Sequence, residues 1–480
     1  MQRAVFTTPN STAPKDHGAE HVDCCIVGGG PAGAVLALLL ARAGLRVTLL
    51  EAKGDFDRDF RGDTLHPAVM EALEGLGLSE AVLALPHARV ERFVVRAGPD
   101  EAIFAEFSGL KTRFPYILML PQAKLLELLV AEAARNPSFQ LKLNARVEHL
   151  LESFDAGHSV VRGVRYSGAG GTGEVRAALT VGADGRFSVL RKLAGLEVDL
   201  TAGSGNEMDV LWFRMPAEAG DPPATGATFR FGTGGLLVLM RHAEGWQAGL
   251  ILGKGSFAAF KARGLTHLRA TVAALAPEFG ARADALLDWR QTSLLSVVSG
   301  CLPRWSRAGL LLIGDAAHPA SPVGGVGINL AVQDALEVAR LLTAPLKSGV
   351  LGAADLIAVE RARRGPTRLV QACQGWAQRW VVGYALRPRP LSAGPLRLPS
   401  WLRLAMSIPA LRRIPGWLIA FAARPAAQRP IASQPTKPSS LELAPRAPVS
   451  SEVTDQKVSV SAALTREPAV RAAEATSVQR

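Results

Sequence analysis

Tyrosine is scarce in this chain: Tyr116, Tyr166 and Tyr384 are the only three in 480 residues. Cysteine is nearly as rare. Cys24, Cys25, Cys301 and Cys373 are too few for a disulfide framework, and no His/Cys spacing suits a metal, so a reducing cytoplasm and no metal site are expected. No apolar run reaches the roughly 18 residues of a spanning helix. Residues 1–20 are polar, lack the apolar centre of a secretory signal, and read as a disordered leader. Acidic residues are missing from one long stretch. Between Arg361 and Leu441 there are 13 Arg and one Lys but no Asp or Glu. That segment's +14 exceeds the +12 of the whole chain, so the remainder sums to −2 and the basicity describes the C-terminal region alone. No nucleic-acid-reading module accompanies the charge, and the interleaved residues are aliphatic rather than stacking aromatics, which argues against nucleic acid.

What the chain does have begins at Val22. The apolar run Cys24–Val27 reads as a buried parallel strand and meets Gly28-x-Gly30-x-x-Gly33. From Pro31 the pattern is helical, with Arg42 in the last turn and Gly44 as the stop, and Arg46–Glu51 reads as a second strand. Gly28 suits the tight turn, Gly30 the close approach of a pyrophosphate, and Gly33 the packing of helix on strand. The helix N-terminus around Ala32 offers unpaired N–H groups and a positive dipole end to phosphates. Glu51 lies 18 residues past Gly33, where an acid accepts both hydroxyls of an adenosine ribose and disfavours a 2′-phosphate. Gly168-x-Gly170-x-x-Gly173 has the same spacing but sits between two β-like runs without a following helix or acid, and reads as a hairpin loop.

Two further boxes follow. Asp184-Gly185, at the end of a strand, precedes a helix start with Ser188 and Arg191. Gly314-Asp315-Ala-Ala-His318, Pro322, Gly324-Gly-Val-Gly327-Ile328-Asn329 and Asp334 form a strand-end acid, a flexible loop and a helix N-terminus, the helix running from about Ile328 to Leu342. A helix there aims N–H groups at whatever occupies the loop. Between these boxes, residues 209–256 read as several strands, a natural wall for a substrate pocket, with Trp212, Arg214, Phe229, Phe231, Met240 and His242 as alternating candidates to line it.

In this order and at these separations the three boxes resemble those of the class A flavin-dependent monooxygenases, which share the para-hydroxybenzoate hydroxylase fold. The likeness covers roughly residues 21–380. It implies an α/β fold: a Rossmann-like FAD-binding domain (21–90, 115–200 and 290–380) and an inserted β-sheet substrate domain (91–114 and 201–289); beyond the likeness, composition reads as a basic helical segment (381–430) and, where apolar periodicity is lost, a disordered tail (431–480). The likeness implies that Glu51 binds the FAD ribose, that Arg61 lies near the pyrophosphate, and that Gln122 contacts the flavin side chain. Asp184 and Arg191 resemble the box tied to FAD and NAD(P)H, Asp315 the ribityl-binding acid, and Pro322, Gly327, Ile328 and Asn329 the lining of the isoalloxazine. The implied reaction takes NADH or NADPH and O2 through a flavin C4a-hydroperoxide, in a dry pocket, to hydroxylate or epoxidise a lipophilic aromatic metabolite such as a quinolone, quinone, phenol or polyketide. No second strand–GxGxxG–helix unit is present, which suits a nicotinamide that docks transiently.

None of the tyrosines falls in the central sheet, so phenolate activation by a tyrosine pair is not expected. His66, His242 and His318 are candidate bases, each weighed against a structural hydrogen-bonding role, and Pro322 is a weak catalytic candidate. Reductases, dehydrogenases and halogenases on the same fold compete, as does a membrane-associated nucleotide-binding flavoprotein without turnover. A halogenase's Trp-x-Trp-x-Ile-Pro is approached only by Trp212-Phe-Arg-Met-Pro216. Oxygen consumption tied to NAD(P)H oxidation separates the others. Residues 396–424 pair large apolar side chains with arginines; Pro409 and Pro415 are expected to split them into short helices, which either lie on an anionic membrane or pack on the FAD domain with their arginines in water.

Overall fold

A computed structural model describes residues 5–7, 20–57, 63–155, 157–196, 208–221, 226–232, 235–242, 245–379, 383, 386 and 397–421. Two large sheets organise them. In the first, Leu310–Leu312, the end of Gly171–Gly182, Glu20–Val27, Val47–Leu50 and Phe139–Lys142 run side by side and parallel. Parallel strands are covered on both faces, which is why Cys24 and Cys25, on opposite sides of one strand, are both buried. The helix Pro31–Arg42 has ten of its twelve residues buried, so it is apolar all round rather than along one stripe. It packs against Gln122–Ala134 and against the long helix Gly327–Ser348.

The first half of Gly171–Gly182 belongs to an antiparallel meander with His158–Gly168 and Arg146–Asp155. The second glycine motif closes its turn, Gly168 opposite Gly171, with Gly171 at φ +101°. It is a hairpin.

The second sheet has the order Thr292–Ser296, Met208–Pro216, Gly245–Gly253, Gly235–His242, Gly226–Gly232, Arg92–Ala97, Asp100–Glu106. Leu211, Phe213, Leu237 and Leu250 on one face pack against Leu268, Val272 and Phe279 of the helical segment that follows. The opposite face carries Val210, Trp212, Phe229 and Val238, against which Val323 of the glycine-rich loop packs.

Several expectations shift. The helix expected from Ile328 to Leu342 runs Gly327–Ser348, because Pro345 sits in its final turn and the stop is Gly349 at φ +68°. Pro415 does not break the C-terminal segment: it lies inside Pro409–Phe421, where its missing N–H costs a single helical bond. Within the stretch expected to be a disordered leader, Val5–Thr7 pairs antiparallel with Val350–Gly352, a backbone contact that no side-chain pattern announces. The expected tail (431–480) and Arg61 lie outside the described residues. Among the described residues no helix is long and apolar enough to cross a membrane.

Candidate functional site

The site is built where the parallel strands end. Gly28 has φ +104°, and a Cβ there would lie 2.5 Å from the carbonyl oxygen of Ala183, so the first box can close only on a glycine. At Gly33 a Cβ would meet the Gly28 oxygen at 2.0 Å, the contact that seats helix on strand. Gly30 has open space, with only the Ala183 oxygen within reach at 4.0 Å. No side chain caps the helix that begins at Pro31, so the N–H groups of its first turn, Ala32 and Gly33 among them, are left to a ligand. Glu51, 5% exposed, accepts from the Gly29 N–H at 2.8 Å and the Lys53 N–H at 2.9 Å, which fix its carboxylate beside the glycine turn.

The three boxes converge. The Ala183 N–H donates to Val27 at 2.8 Å, and the Ile313 N–H donates to Gly182 at 2.9 Å. Gly314, at φ +59°, sits between Ala32 and Ala331. Arg191, 9% exposed, ties the second box to the third by donating to the Ala316 carbonyl at 3.0 Å and the Arg186 carbonyl at 2.7 Å. Asp184 caps its own helix, accepting from Ser188 Oγ at 2.5 Å and from the Val189 and Leu190 N–H groups at 2.7 and 3.0 Å. Burial pushes its carboxyl up against those bonds. Asp315 pairs with Arg186 at 3.6 Å, a partner that sequence reasoning passed over although it directly follows Asp184-Gly185.

Beneath the third box lies a buried ionic cluster. Asp334 accepts from the Gly314 N–H at 2.9 Å, His318 Nε2 at 2.6 Å and Arg363 Nε at 2.7 Å. Desolvation opposes its charge, but His318 and Arg363 win and hold its pKa at about 2. This corrects the reading of His318 as a candidate base: 1% exposed, stacked on Trp305 and bonded to Asp334, it is spoken for structurally.

The loop after it is set by Gly324 and Gly325, at φ +77° and +66°. Thr64 Oγ1 donates to the Gly325 carbonyl at 3.0 Å. Pro322 accepts the Gly325 N–H at 3.0 Å through its carbonyl, closing the turn of the loop, and its side chain has no proton to move. The long helix then starts at Gly327 with no side-chain cap. Ile328 is buried, and Asn329, 1% exposed, has neither side-chain Oδ1 nor Nδ2 paired among the described residues. His66 is buried with Nδ1 2.9 Å from the Ile419 carbonyl, and burial lowers its pKa to about 4. It is therefore a neutral tether for the C-terminal helix, against its reading as a base.

Trp212, Arg214, Phe229, Phe231, Met240 and His242 all fall on the sheet face toward the loop, as the strand register requires. Trp212 lies across Gly249, where a Cβ would come within 2.7 Å of its ring. At the polar end His242 Nε2 stands 3.8 Å from Asp63 Oδ2, both residues buried. Asp63 Oδ1 accepts the Gln122 N–H at 3.2 Å, so the residue opening the helix Gln122–Ala134 is joined to this pair through its backbone. Burial raises Asp63 to about 6, opposed by the Gln122 N–H and the charge of Arg214. Asp63 was not singled out from sequence; one acid in a loop rich in turn formers carries no signal of its own.

A parallel sheet whose first strand turns through these glycines into a helix, with an acid at the end of the second strand, defines a dinucleotide-binding protein. The residues present fit FAD: a cradle at Gly28 and Gly30, a buried carboxylate at Glu51 beside the glycine turn, and the orphaned buried amide of Asn329 at the tip of a helix. The FAD binding domain family matches residues 21–368, and the chain belongs to that family. It is 36% identical over 375 residues to 6-methylpretetramide 4-monooxygenase of Streptomyces rimosus, covering 77% of this chain and 88% of that protein. It is 30% identical over 335 residues to 12-dehydrotetracycline 5-monooxygenase/anhydrotetracycline 6-monooxygenase of Streptomyces rimosus subsp. rimosus, covering 68% of this chain and 63% of that protein. The fold matches p-nitrophenol 4-monooxygenase PnpA from Pseudomonas putida DLL-E4 at TM-score 0.69 and 22% identity, over 85% of this chain and all of that one. The protein is an FAD-dependent monooxygenase, with a reduced nicotinamide as co-substrate.

Proposed function

We propose that the enzyme uses NAD(P)H and O2 to place one oxygen atom on a lipophilic, fused-ring aromatic metabolite of the polyketide type. FAD, when bound, carries the electrons and delivers the oxygen, so that NAD(P)H, H+, O2 and the aromatic C–H become NAD(P)+, water and the hydroxylated ring. The observation that carries the substrate class is the sheet face: Trp212, Phe229, Val238 and Met240 form a broad apolar wall, and polar groups gather at one end. Relatives named for tetracycline-pathway substrates support a polycyclic occupant.

In this reading Gly28, Gly30, Ala32, Gly33 and Glu51 hold the nucleotide half of FAD, Asp315 its linker, and Pro322, Gly327, Ile328 and Asn329 its ring. The uncapped start of Gly327–Ser348 supplies donors where negative charge develops. Arg191 and Asp184 hold the second box in shape. Asp63 and His242 take the acid–base role: Asp63 accepts the proton of a bound phenol, and His242 positions it. The reading also includes peripheral membrane contact through residues 396–424. The test is turnover under 18O2 with a panel of fused-ring phenols. A product heavier by one labelled oxygen, with substrate-dependent NAD(P)H and O2 consumption, is expected. Bromide- or chloride-dependent substitution, or nicotinamide oxidation that needs no O2, would replace this reading with the halogenase or reductase.

A further inference from the structure

The C-terminal helices are fastened to the edge of the second sheet by their arginines. Arg403 donates to Asp100 Oδ1 at 2.8 Å and Arg412 Nε to Glu106 Oε2 at 2.7 Å, the two acids lying at either end of the edge strand Asp100–Glu106. Gly416 lies so close to that strand that a Cβ would meet the Glu106 oxygen at 2.2 Å. The inner side of Ser400–Ser407 and Pro409–Phe421 is therefore fixed.

The outer side is unusual. Trp401 and Leu404 on the first helix, Ile408 in the extended junction, and Leu411, Ile414 and Trp417 at steps of three on the second are 38% to 70% exposed. Six large apolar side chains exposed on two consecutive helices, with a tryptophan on each, make an apolar stripe far beyond the scattered exposed hydrophobics of a soluble surface. Beside it opens a cavity of about 400 Å³ whose walls include Leu110, Ile414, Trp417 and Phe421 and whose cations are Lys111 and Arg413. An apolar slot with ammonium and guanidinium groups at its rim matches a phospholipid, with the phosphate at the rim and the chains inside. No acidic residue occurs between Arg361 and Leu441 to repel such a surface.

We propose that the face formed by residues 400–421, with Lys111, docks on an anionic phospholipid bilayer, the tryptophans entering the interface and Lys111 with Arg413 gripping headgroup phosphates. The docking helix is the one whose Ile419 carbonyl holds His66 and whose Ile419 side chain borders the same apolar cluster as Met240 and Phe229, so the docked face adjoins the aromatic wall of the pocket. This deepens the reading of a lipophilic substrate and rests on its membrane contact; its test is sedimentation rather than product mass, so either can fail alone.

Full-length, FAD-loaded protein is spun with vesicles of phosphatidylcholine, or of three parts phosphatidylcholine to one part phosphatidylglycerol. The protein is expected to pellet with the anionic vesicles and to stay in the supernatant with the neutral ones. Lys111→Gln combined with Arg413→Gln lowers partitioning about 30-fold, near five-fold per cation, and Trp401→Ser with Trp417→Ser abolishes it. Yellow colour and melting temperature stay at wild-type values in both variants, which separates lost docking from lost folding. Equal recovery in the supernatant with both vesicle types overturns the proposal, as does equal pelleting with both. A lipid-free dimer that Trp401→Ser with Trp417→Ser turns into monomer also overturns it, because the stripe then belongs to a second copy of the chain.

Discussion

Replacing Asp63 with Asn should make the protein more stable and less active, and only above a definite pH. Burial raises the Asp63 carboxyl from 3.8 to about 6. A raised acid destabilises the fold once it ionises: the penalty is absent below about pH 4, where both states are protonated, grows through pH 4–6, and is complete above. A shift from 3.8 to about 6 corresponds to roughly 3 kcal/mol at neutral pH. Asn keeps an oxygen to accept the Gln122 N–H, now at 3.2 Å, and puts a neutral amide beside His242. Asp63→Asn should therefore gain about 2–3 kcal/mol at pH 8 but only about 1 kcal/mol at pH 4.5. Urea unfolding of the wild type and the variant at pH 4.5, 6 and 8 measures the gap directly. Loss of a positioned proton acceptor costs roughly 100-fold or more in turnover on a phenolic substrate, and the rise of kcat/KM near pH 6 should vanish with it. A gap that does not widen with pH, or full activity in the variant, would refute the assignment.

Three other outcomes follow from the geometry. Gly28→Ala places a Cβ 2.5 Å from the Ala183 oxygen at φ +104°, and the purified variant should be colourless after soaking in FAD. Asp334→Asn strands the fully buried Arg363 guanidinium and should cost about 3–5 kcal/mol in urea unfolding; adding Arg363→Met should recover most of it, since the charge is then removed with its partner. His66, held near pKa 4 against an ordinary 6.5, stabilises the fold fully above about pH 6.5, and that stability drains away as the pH falls toward 4. His66→Asn should flatten this acid limb, and hydrogen exchange should show residues 409–421 opening first in the wild type as the pH drops.

How much of this was legible beforehand depended on whether a feature is local. Strand, glycines and helix of the first box are neighbours in sequence and each leaves a periodicity, so Gly28, Gly33 and Glu51 could be placed by counting. The two remaining boxes were legible as strand ends followed by helix starts. What holds the boxes to each other was not. Arg363 lies in a run that reads as surface charge, yet it is completely buried, because Asp334, 29 residues earlier in the chain, needs a cation where water cannot reach. His66 and His318 offered imidazoles of plausible chemistry, and only burial beside Ile419 and Asp334 shows that both are engaged in holding the fold. The six alternating residues of the central sheet share a face because the period of a strand is two; that this face meets Val323 depends on a contact between residues about a hundred positions apart.

The segment Asp63–His66 shows what such long-range contacts achieve. Asp63 takes the N–H of Gln122 and faces His242; Thr64 holds the Gly325 carbonyl; Leu65 is buried; His66 reaches Ile419. Four consecutive residues thus join the start of one helix, the end of a sheet strand, the glycine-rich loop and the C-terminal helix Pro409–Phe421. Thr64 and Leu65 form only a two-residue strand against Leu118–Met119, too short to leave any periodicity, so nothing local marks the segment as a junction. Its conformation is dictated from outside by partners that arrive from separate parts of the chain. His66, which holds the helix Pro409–Phe421 through the Ile419 carbonyl, is two residues from the Gly325 contact and three from Asp63, the acid beside His242. On the proposed reading, the docking helix and the Asp63–His242 pair are joined through this one short stretch of backbone, whose link to the helix is the buried His66.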